Sequence, residues 1–176
     1  MHPLSRSKKI MIIGNCGTGK STLARQLSLI LKLPIIHLDK LKFKPNWEEI
    51  DNDSFNLKVA KEMSSMSEWI IDGNYSSSFE NRSKAADTII LLKIPLILSY
   101  IRILKRRFMY HNKVRPDVAE GCRENLNWEM IRWIWNYIKR AAGKTADLLE
   151  KNKNNKNIIV LDSSKKVKKF LGSIVV

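Results

Sequence analysis

The feature of this sequence that most limits its fold is the stretch IMIIGNCGTGKST at residues 10–22. Gly14 is followed five positions later by Gly19-Lys20-Ser21, with an apolar run before the loop and a helical pattern after it. Glycines let the backbone curl so that its N–H groups point inward at an anion, and the N-terminus of the next helix adds partial positive charge. A strand, a glycine-rich loop and a helix in this order are typical of a phosphate-binding P-loop.

The P-loop pattern predicts a role for each of its residues. Lys20 should reach the β- and γ-phosphates of a nucleotide, and the Ser21 hydroxyl should be a ligand of Mg²⁺. Cys16 is either a small filler residue or an oxidisable thiol, because Lys20 and the helix N-terminus favour its thiolate. The residues expected to enclose the nucleotide are Gly14, Asn15, Cys16, Gly17, Thr18, Gly19, Lys20, Ser21 and Thr22.

Apolar runs and helical patterns alternate along the rest of the chain. Strands are predicted at Ile10–Ile13, Pro34–Leu38, Trp69–Asp72, Thr88–Leu92 and Asn157–Leu161. Helices are predicted at Ser21–Leu31, Ser54–Met66 (capped near Asp53), Pro95–Tyr110, Leu126–Glu150 and Lys165–Leu171. Apolar strands separated by helices form a parallel sheet that is covered on both faces. The sequence therefore predicts one α/β domain over residues 1–176, a three-layer α/β/α P-loop NTPase with a five-stranded parallel sheet.

Composition limits the partners and the compartment of the protein. A net charge of +15 predicts attraction to an anionic partner, such as nucleic acid, a nucleotide or an acidic membrane surface. The apolar runs are far shorter than the roughly 20 residues that cross a bilayer, and no secretory signal is visible. The two cysteines form neither a disulfide framework nor a metal-binding spacing. We therefore expect a cytoplasmic protein without a membrane segment.

Two acidic residues stand at the ends of predicted strands. A P-loop enzyme holds Mg²⁺ or its waters with a carboxylate at the end of a neighbouring strand. Asp72 ends the third strand and is the expected magnesium residue, although an Asp that only begins the turn at Gly73 would give the same pattern. The fourth strand ends at Lys93, a base, and cannot serve.

Asp39 ends the second strand, at the edge where open α/β sheets bind ligands. We expect Asp39 to orient or deprotonate an acceptor hydroxyl, or to hold a metal-bound water. A loop-capping role for Asp39 is an equal alternative. His37, two positions earlier, is interpreted as a packed strand residue rather than as a base.

The segment after the fourth strand is strongly basic. Residues 93–116 contain several Lys and Arg and no acid, and Arg102 and Arg106 lie opposite an apolar helical stripe that includes Ile97 and Phe108. A helical lid over residues 93–123 is predicted, with Arg102, Arg106 and Arg115 neutralising charge in a transition state. A merely solvated basic face is the alternative.

Several motifs in order along the chain are shared with one known family: IIGNCGTGKSTLA, IIHLDKLKFKPNW, WIIDGNYSSSF, ADTIILLKIP, RILKRRFMY, VRPDVAEGC and RWIWNY. From Lys9 to about Leu171 the sequence resembles the bacterial DNA topology modulation proteins, a branch of the adenylate-kinase-like P-loop proteins. The resemblance implies a sheet of nucleoside-phosphate-kinase type, ATP as the nucleotide, and adenine near Ser163–Lys165. It also implies that Asp72 is the Walker B acid and that Arg102, Arg106 and Arg115 are lid arginines.

The sequence departs from nucleoside monophosphate kinases on the acceptor side. Those kinases usually hold the acceptor phosphate with arginine from the segment between strands two and three, but residues 39–68 contain only lysines as bases. Arg82 is the substitute that the sequence offers, and Trp47 and Tyr75 could flank a base or another flat substrate.

The leading hypothesis is transfer of the ATP γ-phosphoryl group to a small acceptor, such as a nucleoside monophosphate, bound near Asp39, Tyr75 and Arg82. The alternatives are a nucleotide-dependent DNA-binding protein that uses its basic surface, and a nucleotide switch without transfer.

Overall fold

The sheet of this protein has five parallel strands. The structure is a computed structural model, and it describes residues 3–124 and 143–174. The strands in it are β1 (Lys9–Gly14), β2 (Ile35–His37), β3 (Trp69–Asp72), β4 (Thr88–Leu92) and β5 (Asn157–Leu161). Their order across the sheet is β2-β3-β1-β4-β5, and all four neighbouring pairs are parallel. The predicted fold class is confirmed.

Helices connect these strands. They are α1 (Lys20–Leu31), α2 (Leu38–Lys42), α3 (Asn52–Ser64), α4 (Phe79–Ala85), α5 (Leu96–Met109), the helical residues 143–152, which we label α6, and α7 (Ser164–Gly172). Short 3₁₀ turns lie at Pro45–Trp47 and Ser76–Ser78. Part of the predicted helix Leu126–Glu150 lies outside the described residues. In the described part of the chain, no helix is both long enough and apolar enough to pass through a membrane.

Two helix details differ from the sequence prediction. The cap of α3 is Asp51 and not Asp53, because the Asp51 carboxylate accepts a 2.8 Å hydrogen bond from the Ser54 N–H. The short helices α2 and α4 were not predicted. As a result, Asp39 lies in the first turn of a helix rather than in an open loop.

Each face of the sheet carries its own apolar core. Alternate residues of β1 point to opposite faces, as the pleat of a strand requires. Ile10 and Ile12 pack with α1 and α7, whereas Met11 and Ile13 pack with α3 and α4. With both faces covered, the carboxyl edge of the sheet is the place left for a ligand site.

Candidate active site

The P-loop glycines are required by close packing. Gly14 and Gly17 have φ angles of 146° and 76°, in the region that favours glycine. A Cβ on Gly14 would lie 2.4 Å from the Leu92 carbonyl oxygen, and one on Gly17 would lie 2.5 Å from the Ser99 carbonyl oxygen. The loop therefore lies directly against the end of β4 and the first turns of α5.

Lys20 is folded back over the loop. Its Nζ donates a 2.8 Å hydrogen bond to the Asn15 carbonyl oxygen. Burial lowers the pKa of Lys20, while the nearby charges of Cys16, Asp39 and Asp72 act in the opposite direction. The predicted phosphate-binding cation thus shares its surroundings with both predicted carboxylates.

Asp72 is paired with His37 across the neighbouring ends of β3 and β2. Their Oδ1 and Nδ1 atoms are 2.6 Å apart, and both side chains are largely buried. An ionised Asp72 accepts this bond from a protonated Nδ1, which fixes the direction of the carboxylate. The sequence interpretation of His37 as a packed residue missed this partnership.

Ser21 and Asp72 are suitable in type for Mg²⁺. The ion prefers hard oxygen ligands, and it usually binds one or two protein groups together with water and substrate phosphates. Asp72 is buried, and His37 holds its carboxylate in a fixed direction. A fixed carboxylate suits the predicted role of acting on the ion or on its waters.

Asp39 and Tyr75 form a second pair at this edge. The Tyr75 hydroxyl donates a 2.7 Å hydrogen bond to Asp39 Oδ1. Burial raises the pKa of Asp39, and it outweighs the opposite effects of the Tyr75 bond and of the Arg115 charge. A carboxylate with a raised pKa next to a phosphate site is a candidate general base.

The three predicted lid arginines all lie on the P-loop side of α5 and of the loop that follows it. Arg102 donates to the Thr18 carbonyl oxygen at 2.8 Å and to the Ser164 hydroxyl at 2.9 Å, so it links the P-loop to the start of α7. The charge of Arg106 contributes to the lowered pKa of Lys20, and that of Arg115 acts on Asp39. The structure therefore brings all three to the same edge as Lys20.

Two acidic residues in the loop that follows α5 were missed by the sequence analysis. Glu124 is buried between Arg106 and Arg115. Asp117 bonds to Arg115 and to the Ser21 hydroxyl. Burial raises the pKa of Asp117, but Arg115 and the Ser21 bond outweigh it and leave the pKa lowered. The only clue in the sequence was that these acids follow a long basic segment.

Arg82 and Trp47, both predicted to contact substrate, are engaged with protein groups. Arg82 is fully buried and donates to the carbonyl oxygens of Gly73 and Tyr75 and to the Ser78 hydroxyl. The Trp47 indole N–H donates a 2.7 Å hydrogen bond to the Arg123 carbonyl oxygen. Their roles toward substrate stay predictions.

Comparison with known proteins identifies the fold. No protein-family model matches the chain, and no curated protein matches it. A solved structure of deoxyadenosine kinase from M. mycoides, with the products dCMP and dCDP, has a TM-score of 0.53 and 16% identity, covering 94% of this chain and 95% of that one. The same enzyme with dATP has a TM-score of 0.53 and 15% identity, covering 96% and 100%. Shikimate kinase from Bacteroides thetaiotaomicron has a TM-score of 0.55 and 13% identity, covering 94% and 95%.

These similarities show that the chain has the fold of P-loop kinases. At such low identity they show the fold alone. The resemblance to the DNA topology modulation proteins is not shown by them and stays a prediction.

Proposed function

We propose that this protein is an ATP-dependent phosphotransferase that moves the γ-phosphoryl group to a small acceptor. The observation that carries the proposal is the convergence, at one sheet edge, of Lys20 and three arginines with the Asp39–Tyr75 pair. Such an edge offers cations for a triphosphate and a carboxylate for an acceptor. The shared fold with a kinase solved in complex with dATP supports nucleotide binding.

Phosphoryl transfer depends mostly on positioning and on neutralising charge. The loop N–H groups and Lys20 would bind the phosphates, and Arg106 and Arg115 would neutralise charge on the transferred group. Arg102 would act nearer the nucleoside, because it bonds to Ser164 in the segment where the resemblance implies adenine. Mg²⁺, held by Ser21 with Asp72 acting on it or on its waters, would supply further neutralisation of the β- and γ-phosphate charge.

The acceptor side favours a hydroxyl over a phosphate. A hydroxyl acceptor must lose a proton, and Asp39 is a half-buried carboxylate with a raised pKa that can accept one. A monophosphate acceptor would instead need cations, and the guanidinium of Arg82 is already bonded to two carbonyl oxygens and a hydroxyl. Nucleoside monophosphates stay in the proposal as the second acceptor class.

A transfer assay tests the proposal. The protein would be incubated with Mg²⁺ and γ-labelled ATP against nucleosides, nucleoside monophosphates and small hydroxyl compounds, with thermal shifts recorded for every ligand. We expect ATP to raise the melting temperature and at least one acceptor to become labelled. Binding of ATP without transfer to any acceptor would favour the nucleotide switch instead. Short duplex DNA is included among the thermal-shift ligands to test the DNA-binding alternative.

The pH dependence of transfer should follow Asp39. A base must be ionised, so the rate should fall as the pH drops through the Asp39 pKa, which burial places above its ordinary value of 3.8. Replacing Tyr75 with phenylalanine removes a hydrogen bond that favours the ionised form of Asp39. The acidic limb of the pH–rate profile, where the rate falls with falling pH, should therefore move to higher pH. Asp39→Asn should abolish the limb together with most of the activity. An identical pH–rate profile in wild type and Tyr75→Phe would contradict this role.

The nucleic-acid alternative rests on the charge of +15 and on basic clusters at residues 93–115, 151–156 and 165–169. Part of the basic segment that motivated it is engaged elsewhere, since Arg102 bonds to the P-loop and Arg106 and Arg115 pair with Glu124. The exposed lysines of α7 are still available to it. DNA binding therefore stays a prediction.

A further inference from the structure

Glu124 is the centre of a buried charge network between α5 and the loop that follows it, residues 110–124. It is 3% exposed, and its Oε1 and Oε2 atoms lie 2.8 Å from Arg106 Nε and 2.8 Å from Arg115 Nε. Arg106 belongs to the helix and Arg115 to the loop after it. One carboxylate therefore fixes two arginines that come from separate segments.

The segment just before Glu124 is held by the loop between α2 and α3. Three hydrogen bonds, of 2.7, 3.2 and 3.3 Å, join residues 44–47 to residues 121–123: Trp47 Nε1 to the Arg123 carbonyl, Cys122 Sγ to the Lys44 carbonyl, and Asn46 N–H to the Gly121 carbonyl. We call this contact the Trp47 clasp.

The clasp is closely packed and locally strained. Gly121 has a φ of 79°, and a Cβ on it would lie 2.8 Å from the Pro45 Cβ. Asn46 and Trp47 have φ angles of 61° and 63°, which are unfavourable for residues with side chains. A conformation of this kind persists only where the surrounding contacts enforce it.

We propose that Glu124 is a positioning residue for Arg106 and Arg115, and that the Trp47 clasp fixes Glu124 from the acceptor side. The proposal rests on the proposed function, which assigns these arginines to the transferred phosphoryl group. An arginine has many rotamers, and a group misplaced by about 1 Å can cost about 10²-fold in rate. The clasp would link the loop that carries Trp47, which is predicted to flank the acceptor, to the placement of both arginines.

Arginine Nε–H resonances give a readout that does not depend on activity. In the full-length wild type, Arg106 and Arg115 should show slowly exchanging Nε–H signals, assigned with Arg106→Lys and Arg115→Lys. Glu124→Gln loses the charge and keeps only one acceptor oxygen, so it should remove that protection from at least one of the two arginines. Trp47→Phe keeps the ring but deletes the indole donor, and it should speed exchange by about tenfold, as expected for a contact worth about one hydrogen bond. Glu120→Gln, the same change at an exposed site of the same loop, should leave both signals unchanged.

Kinetics supply the second readout. Glu124→Gln should lower kcat by about 10²-fold while the KM for ATP changes by less than about threefold. The reason is that the substitution misplaces Arg106 and Arg115 at the transferred phosphoryl group and leaves the binding of ATP unchanged. In the Arg115→Lys background, Glu124→Gln should lower kcat by a much smaller factor, because the effects of substitutions at contacting residues are not additive. Trp47→Phe should give a smaller kcat loss of the same kind.

Several outcomes would overturn the inference. The first is that the Nε–H signals of both Arg106 and Arg115 remain protected in Glu124→Gln. The second is that the losses of kcat caused by Glu124→Gln and Arg115→Lys are fully additive. The third is that Trp47→Phe equals the wild type in both exchange and kcat. If Glu124→Gln does not fold, Trp47→Phe decides. If the wild type transfers phosphate to nothing, the proposed function fails, and the resonances still decide whether Glu124 positions the arginines.

Discussion

Replacing Lys20 with methionine should lower the rate of phosphoryl transfer by about 10³-fold or more, while the protein stays folded. The side chain is the cation that the P-loop motif itself supplies, and it is folded onto the Asn15 carbonyl oxygen. A cation that contacts the transferred group inside a site shielded from water stabilises the transition state far more than it would in solution. Methionine has a similar length and no charge, so it isolates this effect.

The stability of the same variant should not fall. Burial lowers the pKa of Lys20 from 10.5, so between the folded pKa and 10.5 the unfolded chain binds more protons than the folded one. Stability therefore rises with pH through that window, and below it the folded protein bears the full cost of the buried charge. Methionine removes this cost, and we expect an equal or higher melting temperature at neutral pH.

Transfer assays and thermal unfolding on the same samples check both expectations. Lys151→Met removes a charge from an exposed position and is the matched control, which should transfer at the wild-type rate. An active Lys20→Met protein would contradict the assignment of the P-loop. A variant that unfolds would instead show that Lys20 is mainly structural.

The parts of the fold that the sequence predicted are those with local causes. The five strands are short runs of apolar residues, and β3, β4 and β5 have the predicted bounds. The P-loop was found because its glycines and Lys20 have a fixed spacing that the backbone geometry requires. Arg102, Arg106 and Arg115 were singled out from their spacing and from their place after β4, and the structure brings them to the edge where Lys20 lies; their lid role stays a prediction.

The parts that the sequence did not predict depend on contacts between distant residues. Glu124 and Asp117 are ordinary acids in the sequence, and their significance appears only when the loop folds back onto Arg106, Arg115 and Ser21. The pairing of His37 with Asp72 likewise requires β2 and β3 to be neighbours in the sheet. Short helices such as α2 and α4 have too few turns to show a periodic pattern.

Helix α5 reverses the usual rule for amphipathic helices. Ile97 and Phe108 of its predicted apolar stripe are 76% and 84% exposed, whereas Arg102 and Arg106 face the P-loop. The packed side of this helix is the one that carries the arginines, with Ile103 buried beside Gly17. Hydrophobicity alone would have turned the arginines away from the site.

Arg82→Met should lower the free energy of unfolding by about 3–5 kcal/mol, since it removes a buried cation from several hydrogen-bond acceptors at once. Arg82 is 0% exposed and donates to the carbonyl oxygens of Gly73 and Tyr75 at 3.1 and 2.9 Å. It also donates to the Ser78 hydroxyl, and its guanidinium lies 5.2 Å from the centre of the Phe79 ring. Methionine would fill much of the space but would leave the acceptors without this donor.

Urea unfolding separates this structural role from the predicted contact with substrate. If Arg82 is structural, the urea midpoint of Arg82→Met should fall while the m-value stays unchanged. Lys84→Met, at an exposed position of the same helix α4, is the control and should have little effect on the midpoint. If Arg82 instead binds the acceptor, the midpoint should stay near that of wild type and the KM for the acceptor should rise. Because Arg82 holds the turn between Asp72 and Tyr75, its loss should also disturb the Asp39–Tyr75 pair, so the acidic limb of the pH–rate profile should move as it does in Tyr75→Phe.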